Sequence, residues 1–266
     1  MLAQKTFLPF VAVGATVLLL AGCSGTSSRS SGGDSSSTTS ASASAEPSKA
    51  AAAGPQPFNV GGLLAGNAQP TFGDGEPGKV SVVAQGPLEK DMIGGAELSF
   101  AYRNNTGKAI AHVDFTGSAR ANGALVASGS SQDATPAQVL PGEVGFAMLY
   151  FDDAASVPDT GVTYDFSATT SPANSSSYNT APLKVSESNN NGTAIIGSAV
   201  NQTGKPLTGP YSVDVYCFTG NDLTGRLTHF ASQDGDVAPD GQVTFSATLN
   251  DTKCDSYTFG VSGYFK

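Results

Sequence analysis

The chain of 266 residues has no tryptophan, two histidines, three cysteines and three methionines. That leaves little material for metal or redox chemistry. His112 and His229 fall on different expected strands, and no His-x-x-x-His, Cys-x-x-Cys or Gly-x-Ser-x-Gly spacing occurs. The common zinc, disulfide-exchange and serine-hydrolase signatures are therefore excluded. Asp234-Gly235-Asp236 with Asp240-Gly241 lacks the full spacing and closing glutamate of a calcium-binding EF-hand loop, and reads as a turn. No catalytic residue, cofactor or metal ligand is expected, and the chain reads as a non-enzyme. Cations are scarce as well: 13 Lys and Arg stand against 22 Asp and Glu, for a net charge of −9. Nucleic-acid binding needs clustered basic residues, and so does electrostatic docking on anionic lipid; both are excluded. Helical periodicity is missing after the first 22 residues.

What is present begins at the N-terminus. Lys5 precedes an apolar stretch from Phe7 to Leu20, which ends in Leu20-Ala21-Gly22-Cys23. A basic start, a short apolar core and small residues before a cleavage point make a secretory signal. The apolar run is shorter than the about 20 residues a spanning helix needs, and Pro9 interrupts its start. The last four residues resemble the lipobox of bacterial lipoproteins. That resemblance implies cleavage before Cys23, a diacylglycerol on its sulfur and an acyl chain (palmitate, for example) on its new amino group. The protein is then expected on the extracytoplasmic side of the cell envelope, held to the membrane by lipid. Two or more acyl chains give stable anchoring, whereas one gives only marginal binding. Removing residues 1–22 takes away only Lys5 among charged groups, leaving −10.

Residues 23–57 are rich in Ser, Thr, Ala, Gly and Pro and carry no large apolar side chain after Cys23. Such a segment cannot bury enough surface to offset its ordering entropy, so a disordered tether is expected. At roughly 5–6 Å × √n, its root-mean-square reach, counted to the first regular strand, is about 40 Å. Residues 58–78 hold Phe58, Val60, Leu63, Leu64 and Phe72 without a clean period. They read as an irregular arm packed on the first domain; the alternative is a peptide that meets a partner.

The remainder is an internal repeat with an offset near 97. Asn104-Asn105-Thr106-Gly107-Lys108 returns as Asn201-Gln202-Thr203-Gly204-Lys205, and Val113-Asp114-Phe115 as Val213-Asp214-Val215. Leu140-Pro141-Gly142-Glu143 returns as Ala238-Pro239-Asp240-Gly241, and Tyr164-Asp165-Phe166 as Tyr257-Thr258-Phe259. A period that long indicates tandem domains, 79–172 and 180–266, rather than a solenoid. Within each copy the period is two: Tyr211, Val213, Val215 and Cys217 alternate with Ser212, Asp214, Tyr216 and Phe218. Such runs, broken by Gly, Asn, Asp and Pro clusters every 8–12 residues, predict an all-β fold of two tandem immunoglobulin-like β-sandwich domains. Strands are expected near 79–85, 95–103, 110–119, 124–131, 143–151 and 161–169. In the second copy they are expected near 182–187, 193–200, 210–219, 226–233, 242–249 and 256–265. Asn-x-Thr-Gly and Pro-Gly clusters mark turns, because Asn and Gly tolerate φ > 0.

With Cys23 taken by lipid, Cys217 and Cys254 remain. An exported chain meets an oxidising compartment, so an even remainder favours one disulfide; the alternative is two separate buried thiols. Both belong to the second copy, where Cys217 aligns with Gly117. Asn-x-Ser/Thr triplets at Asn104, Asn174, Asn191, Asn201 and Asn250 read as turn composition beside a bacterial lipobox.

The strand, the Asn-x-Thr-Gly-Lys turn, the alternating strand, the Asn122-Gly123 hairpin and Leu-Pro-Gly-Glu-x-x-Phe together resemble the FxLYD-type domains of bacterial lipoproteins. That resemblance implies small immunoglobulin-like modules facing the envelope, with an interaction role and no catalytic residues. The reading is a non-catalytic binding lipoprotein with an envelope protein partner. The alternatives are a structural accessory or assembly factor of a membrane complex, and a metal- or small-ligand-binding protein. Cys23→Ala is expected to release the mature protein or leave an uncut precursor, and membrane fractionation with mass measurement checks this.

Overall fold

The computed structural model describes residues 58–266 except Tyr178 and Asp251. The segments expected as a signal (1–22) and a tether (23–57), and the expected lipidation site Cys23, lie outside the described residues. One short strand, β1 (Leu64–Gly66), precedes two modules. The first holds β2 (Val80–Lys90), β3 (Ala96–Asn104), β4 (Ile110–Ala121), β5 (Ala124–Thr135), β6 (Gln138–Val139), β7 (Val144–Phe151) and β8 (Val162–Pro172). The second holds β9 (Thr180–Asn190), β10 (Ala194–Val200), β11 (Leu207–Thr219), β12 (Asp222–Phe230), β13 (Gln242–Thr248) and β14 (Ser256–Phe265). The long strands fall where period-two patterning places them.

All pairings are antiparallel. In the first module the order is β2-β3-β7-β5-β4-β6, with β8 on β4; in the second it is β12-β11-β14-β9-β10-β13, with β1 on β14. Each sheet folds over on itself as a sandwich, because one strand serves both layers. β9 pairs through Thr180–Leu183 with β14 and through its second half with β10. β5 pairs with β4 up to Ser130 and with β7 from Ser130 onward. The first core gathers Leu98, Phe100, Tyr102, Phe115, Leu149 and Phe151. The second gathers Leu183, Ile195, Val213, Val215, Phe245 and Phe259.

The repeated Asn-x-Thr-Gly-Lys turn is built the same way twice. Gly107 and Gly204 take φ of 74° and 72°. Asn104 donates from Nδ2 to the carbonyls of Lys108 (2.7 Å) and Val139 (2.9 Å), and Asn201 donates to those of Lys205 (2.7 Å) and Val237 (3.2 Å). Each Oδ1 accepts the hydroxyl of Thr106 or Thr203 at 2.7 Å. Both asparagines are fully buried. They are internal pins that satisfy backbone groups of two separate segments, not merely turn-tolerant residues. That burial also removes both triplets as surface acceptors.

Cys217 and Cys254 form the disulfide, closing a separation of 37 residues. In the chain-entropy account a loop of that size contributes about 4 kcal/mol. Strand register refines the repeat. Cys217 lies opposite Tyr257, and Ala119 lies opposite Tyr164. The first-module counterpart of Cys217 is therefore Ala119, two residues from the expected Gly117. Both strands are irregular near their starts, β4 between Ala111 and Asp114 and β11 between Thr208 and Ser212, so no constant sequence offset carries through them.

The arm departs from expectation. It does not simply rest on the first module: residues 64–66 form β1 on β14 of the second. Around it Asn67 N and Ala68 N both donate to the Tyr257 carbonyl (3.0 and 2.9 Å), and Asn67 Oδ1 accepts Tyr257 N at 2.9 Å. Gly66 has φ of 133°, and a β-carbon there would collide with the Tyr257 carbonyl, so this close approach needs glycine. The arm also holds the first module: Phe58 O accepts Val144 N at 3.0 Å, and Arg103, fully buried, donates from Nε to Gly73 O at 2.9 Å.

The physical reason is a third core. Ala101, Val144 and Phe146 from the first module face Tyr216, Phe218 and Leu223 from the second, with Leu64, Ala68 and Phe72 of the arm between them. Phe146 stacks on Tyr216 with ring centroids 4.5 Å apart, and Phe72 lies 5.9 Å from Phe146 and 6.3 Å from Phe218. Arm and modules thus form one compact unit. Phe72→Ala should cost about 3–5 kcal/mol, read from the urea midpoint. Val60→Ala, at a site 71% exposed, should change stability by less than about 0.5 kcal/mol.

Candidate interaction site

The seam also contains charge. Arg226 on β12 is 7% exposed and meets carboxylates from both modules. Its Nη1 donates to Glu97 Oε1 (3.2 Å), and its Nη2 donates to Asp133 Oδ2 (2.7 Å) and Asp214 Oδ1 (2.8 Å). Asp214, 1% exposed, also accepts the hydroxyls of Thr228 at 2.8 Å and, across the seam, Thr135 at 3.1 Å. Gly260 makes room here, since a β-carbon on it would strike the Thr135 methyl.

One guanidinium faces three carboxylates, so the cluster is short of positive charge. The deficit falls on Asp133. Burial pushes its carboxyl up to about 6, with Asp214 adding to the rise, while Arg226 pulls the other way. Its Oδ1 is buried without a partner, so nothing rewards ionisation at that atom. Burial works against the charge of Arg226, but Tyr216, Asp214, Asp133 and Glu97 outweigh it and hold the group above its ordinary value.

The seam supports a surface. Of the large hydrophobic side chains exposed among the described residues, three lie at one end of the first module: Met92 (103%), Ile93 (88%) and Leu125 (56%). Met92 and Ile93 form the tip of the turn between β2 and β3. The turn closes when Asp91 N donates to Gly95 O at 3.0 Å. Asp91 Oδ1 accepts Ile93 N (2.9 Å) and Gly95 N (2.8 Å), and Oδ2 accepts the Tyr150 hydroxyl at 2.6 Å. Those hydrogen bonds, that from Tyr150 foremost, hold Asp91 below the usual carboxylate range. Gly94, at φ of 100°, allows the reversal. Leu125 follows the Asn122-Gly123 hairpin, whose φ values of 50° and 80° are those the dipeptide was expected to supply. The connection from β7 to β8 braces both turns: Ala154 N donates to Gly94 O at 2.9 Å and Ser156 Oγ to Val126 O at 2.9 Å. Lys90 meets Asp159 at 2.8 Å beside it.

The tip lies far from the arm's entry. Phe58 bonds Val144 at the start of β7, whereas the tip flanks its end at Phe151. An eight-residue strand rises about 3.3 Å per residue, so roughly 23 Å separates them.

The other residues singled out by sequence fall elsewhere. His112 is on β4 of the first module and His229 on β12 of the second. No group of three His, Cys, Asp or Glu that could hold a metal occurs among the described residues. Asp236 in the Asp-Gly-Asp segment pairs with Lys266, and Gly235 O accepts the Tyr211 hydroxyl at 2.9 Å, so this turn is tied to the strands around it. Sequence reading missed Met92, Ile93 and Leu125, since exposure of an apolar residue in a turn depends on how the turn is braced. No known family model matches the chain, and no curated protein matches it.

Asp133 makes a testable mark on stability. Its folded value lies above its unfolded one, near 4, so its contribution is fully present below about pH 4 and is lost as pH rises through about 6. Asp133→Asn should flatten this fall, which urea unfolding of both proteins between pH 4 and 7 measures.

Proposed function

We propose that the protein is a non-catalytic, lipid-anchored interaction lipoprotein of the bacterial envelope, held on the extracytoplasmic side and presenting two joined β-modules to an envelope protein. The observation that carries this reading is the exposed Met92–Ile93 tip on a hydrogen-bonded turn. A tip fixed this firmly can bury its apolar side chains against a partner with little ordering cost. Apolar side chains left in water in one cluster mark contact sites.

The N-terminal pattern ending in Cys23 supports lipid attachment. The resemblance of the repeats to FxLYD-type domains supports an envelope role. The acidic balance leaves lipid as the means of holding the chain to a membrane. The second reading, a structural accessory of a membrane complex, is favoured by the seam: two modules and an arm locked together make a rigid spacer.

Met92→Ser with Ile93→Ser should leave the melting temperature within about a degree or two, since both residues are exposed. The same double variant should lose the dominant crosslinked partner when intact cells are treated with crosslinker. Unchanged crosslinks would overturn the assignment of the tip, and one stoichiometric complex retained by the variant would favour the spacer reading.

A further inference from the structure

The two modules differ at one edge. In the second, β14 has β11 on one side; on the other it carries β1 at Thr258–Gly260 and the start of β9 at Val261–Tyr264. In the first, β8 is its counterpart: Tyr164 and Phe166 face Ala119 and Gly117 of β4 as Tyr257 and Phe259 face Cys217 and Val215 of β11. Among the described residues β8 pairs with β4 alone. The chain that would cover its other edge, just before β2, turns away instead. Gly78 N donates to Asn105 O at 3.0 Å and Lys79 N to Glu76 O at 3.3 Å, and the arm upstream is spent on β14.

The uncovered edge is long and unguarded. β8 has 11 residues, and its one charged side chain, Asp165, is paired with Arg120 at 2.8 Å. Edge strands are ordinarily protected by lysine, an internal proline or a bulge, because their free N–H and C=O groups recruit another strand. Beside this edge runs a groove of about 320 Å³ between β8 and β2, whose lining includes Val82, Tyr164, Phe166 and Ala168 beside the carboxylates Glu76 and Asp165. It lies where a strand matching β1 would run.

We infer that β8 accepts an extended segment of a partner protein as an antiparallel strand, with an apolar side chain opposite Phe166 entering the groove. The template is intramolecular: Ala65 of β1 lies opposite Phe259, the counterpart of Phe166, and packs on the second core. At about 320 Å³ the groove is more than an alanine methyl fills, so the incoming residue is larger than alanine. This chain's own tether does not fit, since residues 24–57 hold no Val, Ile, Leu, Met, Phe or Tyr. A second copy is disfavoured too. Each chain carries −9, so two copies repel one another as they approach. Backbone pairing would supply affinity and the groove would supply selectivity. This edge is distinct from the Met92–Ile93 tip, so the two fail separately.

The test uses the full-length protein and a synthetic peptide of residues 60–70 carrying Ala65→Val, read by residue-resolved hydrogen exchange. The peptide should slow exchange across residues 163–169. Ala168→Lys, which places a charged head in the groove, should weaken that protection at least tenfold. The peptide with Ala65→Asp should fail in the same way and leaves the protein untouched should Ala168→Lys disturb folding. Absence of protection on β8, or equal protection from the aspartate peptide, would overturn the proposal. Protection that rises with protein concentration alone, with dimers in sedimentation, would assign the edge to a second copy and overturn it as well.

Discussion

Burial of both faces of β11 is the constraint on which the rest depends. One face, Val213, Val215 and Cys217, belongs to the second core; the other, Asp214, Tyr216 and Phe218, meets the first module and the arm. A strand buried on both sides cannot belong to a module that floats free. The same holds on the opposing side. Leu98, Phe100 and Tyr102 of β3 face their own core, while Ala101 faces the seam. Separating the modules would expose stacked aromatics and strip Arg226 of carboxylates held in low dielectric, where an unpaired charge is costly.

The seam converts two modules into one platform. The arm enters beside Val144, crosses the seam through Phe72 and completes the second module's sheet through β1. Tip and arm then occupy opposite ends of the first module. Chain entry at one end leaves the other uncovered, and this arrangement underlies the proposed role. The same diversion of the arm completes β14 and leaves β8 bare.

Much of the strand pattern was legible. Alternation at period two placed the long strands of both modules, and the turn residues marked their ends, because side-chain direction along a strand is set locally. The disulfide follows from an expected export and an even cysteine remainder, and the structure holds it. The role of Asn104 and Asn201 was not: their sequence neighbours suggested a turn, while the groups they satisfy at Val139 and Val237 lie 35 and 36 residues away. Nothing in their sequence neighbourhood sets Asp133 or Asp214 apart. Their effect comes from Arg226, whose contacts to Glu97 and Asp133 span 129 and 93 residues. The arm's pairing with the second module escaped notice for a similar reason. Three residues without period carry no strand signal, and only an edge offered by β14 makes them one.

By itself the sequence determined the all-β class, the repeat, the rough positions of the long strands and an even cysteine remainder, since each follows from patterns or counts within short reach along the chain. The apolar side chains on the second face of β11 were visible too, as Tyr216 and Phe218, but not what would cover them. Tertiary structure alone decided the seam, the crossing of the arm, the buried, carboxylate-crowded surroundings of Asp133, the exposure of Met92 and Ile93 and the open edge of β8. Each of these is a matter of which surfaces meet, and surfaces meet through contacts between residues far apart in the chain, where local pattern carries no information.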